Sequence, residues 1–441
     1  MHNRSMRRRI IAGIAGVIAV TTILTGCVNG KSNSEGSEIG VKRAQNLTAM
    51  ALESGSGGTY TATGKLDDTL GLGVNHLAFG LASSQNKGDE NYFFSPYSIS
   101  CALTILDNAA RGSTKTQMEQ VLGITELSDW NTQMALFRNR TQSEKTYVTT
   151  ADSLWIDQSY TLNRAAEEVF FPVVRDGLGA EVFLADFRKD SEHVAEEITA
   201  WVSDRTNGMI PDYQTITNSN TRMDILDAVY FYGEWQNKFM AQDTYDGIFH
   251  GAKGEQTVPM MHMYNAQYRY YEDGLIQGLA VPYADENYVM NILIPVDHSQ
   301  NVRKLFEAMT EEAKQEFLQN LLKSDPVDVD IFGLPKFSFD STFEGLKERL
   351  EELGMQDVFC ESADLSILSE TIYAGNIQHR ARIELDEEGS RAAAVTEIDM
   401  NDGCGMPPED PLRFVVDCPF LFFIQDRQTG MILFLGGVAG F

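Results

Sequence analysis

Residues 387–400 read Glu387-Glu388-Gly389-Ser390-Arg391-Ala392-Ala393-Ala394-Val395-Thr396-Glu397-Ile398-Asp399-Met400. They run into a segment with Gly403, Gly405, Pro407, Pro408 and Pro411, the composition of an exposed loop. Yet they alternate as a half-buried strand does. Ser390, Ala392, Ala394, Thr396, Ile398 and Met400 share one face, small or apolar; Arg391, Ala393, Val395, Glu397, Asp399 and Asn401 share the other, which carries the charges. An alanine run also suits a helix. A permanent surface loop needs no such alternation, whereas a loop that at times becomes a sheet strand does.

The N-terminal end carries an address. Arg4, Arg7, Arg8 and Arg9 precede an uncharged stretch, Ile10 to Leu24, that is short for a membrane span and ends in Leu24-Thr25-Gly26-Cys27. The ending resembles a bacterial lipobox, which implies cleavage before Cys27 and lipidation of its thiol; an ordinary secretory signal is the alternative. Residues 27–65, rich in Gly, Ser, Thr, Asn and Lys, are expected to be a flexible tether, with a helical turn over Leu47 to Leu52. Residues 66–441 show no second linker and are expected to form one domain. The first 26 residues hold four arginines and no acid, so the rest carries 31 basic and 63 acidic residues, a formal charge of −32. That argues against nucleic-acid binding and suits both solubility and the steering of basic partners.

Catalytic signatures are missing. There is no His-Glu-x-x-His, no Cys-x-x-Cys and no Gly-x-Ser-x-Gly, and the seven histidines are scattered. No cofactor or metal is expected. Cys101, Cys360, Cys404 and Cys418 include no pair at zinc or redox spacing; a Cys404–Cys418 bridge would restrain the loop it flanks.

Several blocks in a fixed order resemble the serpin family. They are Phe94-Ser95-Pro96-Tyr97-Ser98-Ile99 leading a helix, Gln117 to Gly123 in the next helix, and the strand Val148 to Ile156. Trp201 to Asp212 follows, with a helix end near Asn207-Gly208. Then come Val229 to Trp235, Pro259-Met260-Met261, Leu334 to Phe337, and two apolar runs, Pro419 to Ile424 and Gly430 to Gly436, that suit strands buried on both faces. Glu387-Glu388-Gly389-Ser390 with its small-residue run resembles the family's mobile hinge. The resemblance covers nearly all of residues 69–441.

That resemblance implies an α+β serpin fold, about eight to nine helices around three β-sheets, with an exposed reactive-centre loop over about 387–411. It implies a monomeric suicide inhibitor and no enzyme: a serine or cysteine protease attacks the loop, and the cut loop enters the main sheet as a new strand. The hinge would be Glu387, Glu388, Gly389, Ser390, Arg391, Ala392, Ala393, Ala394, Val395 and Thr396. Gly389 lets the backbone reverse; Arg391 stands where the family usually has glutamate. The family spacing from Gly389 puts the scissile bond at Gly403–Cys404, whereas counting back from Pro419 points nearer Met406 or Pro408; the expected bonds are Gly403–Cys404 and Cys404–Gly405, with Met400–Asn401 next, which suits an elastase-like pocket. No Arg or Lys lies between 392 and 412, disfavouring trypsin-like targets. Ser95, Ser98, His379 and Asp227 match the family's shutter under the sheet, with Asp227 where asparagine is common, and Trp235 matches its breach. An Asp227–His379 ion pair would make sheet opening pH-sensitive where histidine titrates. The expected site of action is outside the cell, lipid-anchored at the surface or released. The alternative function is a non-inhibitory binding protein of the same fold.

Overall fold

The computed structural model describes residues 43–441 apart from 56–57, 86–88, 141, 216 and 391–410. Among the described residues sixteen strands are formed: β1 Gln45–Asn46, β2 Tyr92–Phe94, β3 Thr146–Asp157, β4 Glu181–Ala185, β5 Met223–Glu234, β6 Thr244–Gly251, β7 Gly254–Glu272, β8 Ile276–Pro282, β9 Tyr288–Pro295, β10 Pro326–Pro335, β11 Phe337–Thr342, β12 Asn376–Leu385, β13 Gly389–Ser390, β14 Leu412–Val415, β15 Phe420–Asp426 and β16 Ile432–Val438. The α-helices are α1 Leu47–Ser54, α2 Thr69–Gln85, α3 Pro96–Asp107, α4 Gly112–Leu122, α5 Leu127–Arg138, α6 Phe187–Arg205, α7 Val302–Glu307, α8 Glu311–Lys323 and α9 Leu346–Leu353. Among the described residues no helix is long and apolar enough to cross a membrane.

Seven strands form one sheet in the order β1-β4-β3-β5-β13-β12-β11. Nine form the other network, β14-β10-β7-β8-β9-β15-β16-β2 with β6 on β7. The nineteen-residue β7 pairs with β6 and β10 along most of its length and with β8 at its end, so it serves two sheets. The three expected sheets thus appear as two hydrogen-bonded networks.

The apolar runs explain the centre. Every residue of β15 and β16 is buried, as expected for strands covered on both faces. Between the networks lies α3, buried along all twelve residues because it meets β3 and β5 on one side and β16 on the other. Pro96 opens this helix, where its missing N–H costs nothing, and Ser95 caps it by accepting the Ser98 N–H at 3.1 Å. The opposite face of the seven-stranded sheet is covered by α6, whose Val194, Ile198 and Val202 recur every four residues and pack on Trp155 and Phe183. That helix ends before Asn207 and Gly208, both with positive φ, as the sequence indicated.

The tether expectation needs a correction. Residues 43–65, outside the gap at 56–57, lie on the body: β1 pairs antiparallel with β4, Asn46 caps α1, Thr48 and Ala51 are buried, and the Tyr60 N–H donates to Asp176 at 3.0 Å. A two-residue strand has no detectable period, and its pairing with β4 is set by tertiary contact. The folded body therefore begins ahead of Leu66.

Candidate functional site: a sheet parted at its top

The hinge begins inside the sheet. Along most of β5 and β12 the two strands pair directly, in parallel, from Asn376↔Asp224 to Arg382↔Tyr230. Above that they separate, and β13 stands between them. Gly389 and Ser390 pair antiparallel with Glu234 and Gly233, and Ser390 also pairs with Leu385. Ser390 is fully buried and its hydroxyl lies 2.9 Å from that of Tyr283. Gly389 has φ +149°, and a Cβ there would sit 2.0 Å from the Gly233 carbonyl oxygen. Only glycine fits this close approach.

The breach holds this short strand. Trp235, almost fully buried, stacks on Tyr283 with centroids 4.8 Å apart and planes at 10°. Its indole N–H donates to the Asp386 carbonyl at 3.0 Å and its backbone N–H to that of Glu388 at 2.8 Å. Lys238 pairs with Glu388 and Lys336 with Glu387, each at 2.6 Å, and the Thr244 hydroxyl donates to Glu387. Burial works to raise the Glu387 carboxyl, but Lys336 and Thr244 outweigh it and hold the group below the usual range. Lys238, which burial alone would lower, is raised by Glu388 and Glu234.

The shutter lies deeper. The Ser95 N–H donates to His379 Nε2 at 3.0 Å, so that nitrogen carries no proton. The ring proton is therefore on Nδ1, which faces Asp227 Oδ2 at 2.7 Å. The Ser98 hydroxyl donates to the other Asp227 oxygen, and the Ser95 hydroxyl to the Leu433 carbonyl at 2.6 Å. All four side chains are fully buried. Asp152 lies directly across from Asp227 in the β3–β5 ladder. Burial, and after it the charge of Asp227, push its carboxyl well above the ordinary range.

With the parted sheet, hinge strand and shutter in place, comparison with known proteins becomes informative. A sequence profile described as Serpin (serine protease inhibitor) matches residues 73–440. The chain belongs to the serpin family. It is 31% identical over 369 residues to a serpin-like protein of Thermococcus kodakarensis, covering 82% of this chain and 84% of that one. It is 32% identical over 370 residues to the leukocyte elastase inhibitor of Homo sapiens, covering 81% and 94%. The native-state crystal structure of tengpin, a thermophilic serpin, superposes with a TM-score of 0.79 at 26% identity, covering 91% of this chain and all of that one. Serpins are protease inhibitors and not enzymes, and this serpin's fold is the α+β one that the resemblance implied.

The structure brings Ser95, Ser98, Asp227 and His379 into one cluster, and Trp235, Glu387, Glu388, Gly389 and Ser390 into another. Arg391, Ala392, Ala393, Ala394, Val395, Thr396, Met400, Asn401, Gly403, Cys404, Gly405 and Cys27 lie outside the described residues. Among the described residues Cys418 forms no disulfide, and Cys404 lies outside them. Sequence reasoning missed Asp152, Tyr283, Lys238 and Lys336. Asp152 reaches the site through the β3–β5 ladder, Tyr283 by stacking on Trp235, and the two lysines through ion pairs to residues far along the chain.

Proposed function

We propose that this serpin is an irreversible suicide-substrate inhibitor of serine proteases, with an elastase-like enzyme as its target. The observation that carries the reading is the two-residue strand Gly389–Ser390 standing between β5 and β12, with the same two strands closed on each other below it. A protease serine attacks the scissile carbonyl, its oxygen forms an ester with the loop's N-terminal half, and the amine half leaves. The acylated half then continues the existing register down the sheet.

That register can be extended. Antiparallel pairing from Ser390↔Gly233 and Ser390↔Leu385 would bring Ala392 opposite Phe231 and Ile383, Ala394 opposite Val229 and Ala381, and Thr396 opposite Asp227 and His379. These partners are buried, so small side chains suit the inward face, and the Thr396 hydroxyl would offer Asp227 and His379 a polar partner once they part. The absence of Arg and Lys from 392 to 412, together with candidate scissile bonds at Gly403–Cys404, Cys404–Gly405 and Met400–Asn401, supports a small or apolar specificity pocket. The acidic loop residues Glu397, Asp399, Asp402, Glu409 and Asp410 would attract a basic protease.

The four arginines and Leu24-Thr25-Gly26-Cys27 support export with a lipid anchor on Cys27, placing a monomeric inhibitor at a bacterial cell surface or, once released, outside it. Radiolabelled palmitate should enter the wild-type protein and not Cys27→Ala. The inhibitory reading is tested by incubating the chain with an elastase-like serine protease. An adduct that survives SDS, with a released C-terminal peptide starting at Cys404, Gly405 or Asn401 by mass spectrometry, is expected. Cleavage of the loop with full recovery of protease activity would refute it.

A further inference from the structure

We infer that His298, Asp417 and Cys418 form a binding site for a divalent zinc-type cation. The three offer an imidazole nitrogen, a carboxylate oxygen and a thiol sulfur within 4.8 Å of one another. His298 sits in the turn after β9, which Asp297 stabilises by accepting the Ser299 N–H at 3.0 Å. Asp417 and Cys418 lie in the link between β14 and β15. Backbone bonds fix that link from both sides: the Val416 N–H donates to Gly333 and the His250 N–H to Asp417, at 2.9 and 2.7 Å. His298 Nδ1 and Asp417 Oδ1 already stand 2.7 Å apart.

A second observation points to a ligand. Cys418 is fully buried and, among the described residues, forms no disulfide. Its sulfur lies beneath the partly exposed His298 and Asp417, so an ion entering from solvent would meet these two first and the sulfur last. Nitrogen, oxygen and sulfur donors together match zinc better than calcium or magnesium, which prefer oxygen alone. Tetrahedral zinc holds its ligand atoms about 3.5 Å apart, so the widest separation, 4.8 Å, closes by about 1.3 Å at most while His298 Nδ1 and Asp417 Oδ1, now 2.7 Å apart, open by about 0.8 Å. Rotation of the half-exposed imidazole supplies that movement. Three protein ligands leave the fourth position to water.

A bound ion would also tie the link that follows β14 to the turn after β9. Strand β14 follows residues 391–410 directly and, among the described residues, pairs with β10 alone. The site escaped sequence reading because its ligands are 119 residues apart, a spacing no zinc motif uses.

The test titrates the full chain with cobalt(II) chloride, a spectroscopic stand-in for zinc. A thiolate-to-cobalt charge-transfer band that saturates at one equivalent and is displaced by zinc chloride is expected. Cys418→Ser should abolish the band, and His298→Ala, a change at a partly exposed position that leaves the far-ultraviolet dichroism intact, should weaken binding at least tenfold. Cys360→Ser and Cys404→Ser should keep the band. No band in the wild-type chain, a band that survives Cys418→Ser, or equal affinity in His298→Ala would overturn the inference.

Discussion

Replacing Ala392 by proline should turn this inhibitor into a substrate, and the size of the effect follows from the sheet. Extending the register of Gly389 and Ser390 puts Ala392 between Phe231 on β5 and Ile383 on β12, two residues that are each 1% exposed. A strand with neighbours on both sides must direct its N–H to one of them. Proline has no N–H, so one carbonyl of β5 or β12 would be left buried and unpaired, at a cost of about 1–3 kcal/mol. If that cost falls on the barrier to insertion, insertion slows by about 5- to 150-fold, since about 1.4 kcal/mol is a factor of ten. Deacylation of the protease does not depend on the sheet and keeps its rate. The ratio of inhibitor molecules turned over to molecules that trap protease should therefore rise by the same factor, about 5- to 150-fold, while the initial rate of loop cleavage stays the same. Titration of protease activity against inhibitor, with SDS gels of the same mixtures, reads both quantities. An unchanged stoichiometry with a full yield of stable adduct would show that the loop does not enter between β5 and β12.

Three further outcomes are expected. Gly389→Ala would push a methyl group into the Gly233 carbonyl, so β13 should leave the sheet; amide exchange over 231–235 should speed by about tenfold, and unchanged exchange would mean that β13 is not seated there. Asp224 is buried, and burial lifts its carboxyl from an ordinary 3.8 to about 7. Between those values the unfolded chain ionises while the native chain keeps its proton, so the native state loses stability as pH rises, in total on the order of 4 kcal/mol. Asp224→Asn lacks this titration and should gain on the parent steadily from pH 4 to 7 in denaturant midpoint; a pH-independent difference refutes the assignment. Asp227→Asn removes the carboxylate that faces His379 Nδ1 and accepts from the Ser98 hydroxyl. Inhibition rates of parent and variant should therefore differ at one fixed pH, and equal rates would show that the Asp227–His379 contact does not govern sheet opening.

Much of this protein was legible in one dimension because some signals are local. Ser95-Pro96 marks a helix start, Asn207-Gly208 a helix end, and Phe420 to Ile424 a doubly covered strand. Each is a property of neighbouring residues, and each element appears where those residues indicate. The small-residue alternation from Ser390 onward is of the same kind: it states which face must be narrow. Tertiary structure alone decided what those elements meet. Residues 43–65 become part of the body because β4 has a free edge for Gln45 and Asn46. Lys238 and Lys336 find Glu388 and Glu387, Tyr283 finds Trp235 and Ser390, and burial, with Asp227 across the ladder, raises the Asp152 carboxyl. Helix caps and strand faces depend on dihedral angles and periods of two to four residues, which the chain carries everywhere along its length. Which strands part to admit Gly389, and which buried charges then face one another, depends on pairings that span up to about 160 residues, and those exist only once the sheet has closed around them.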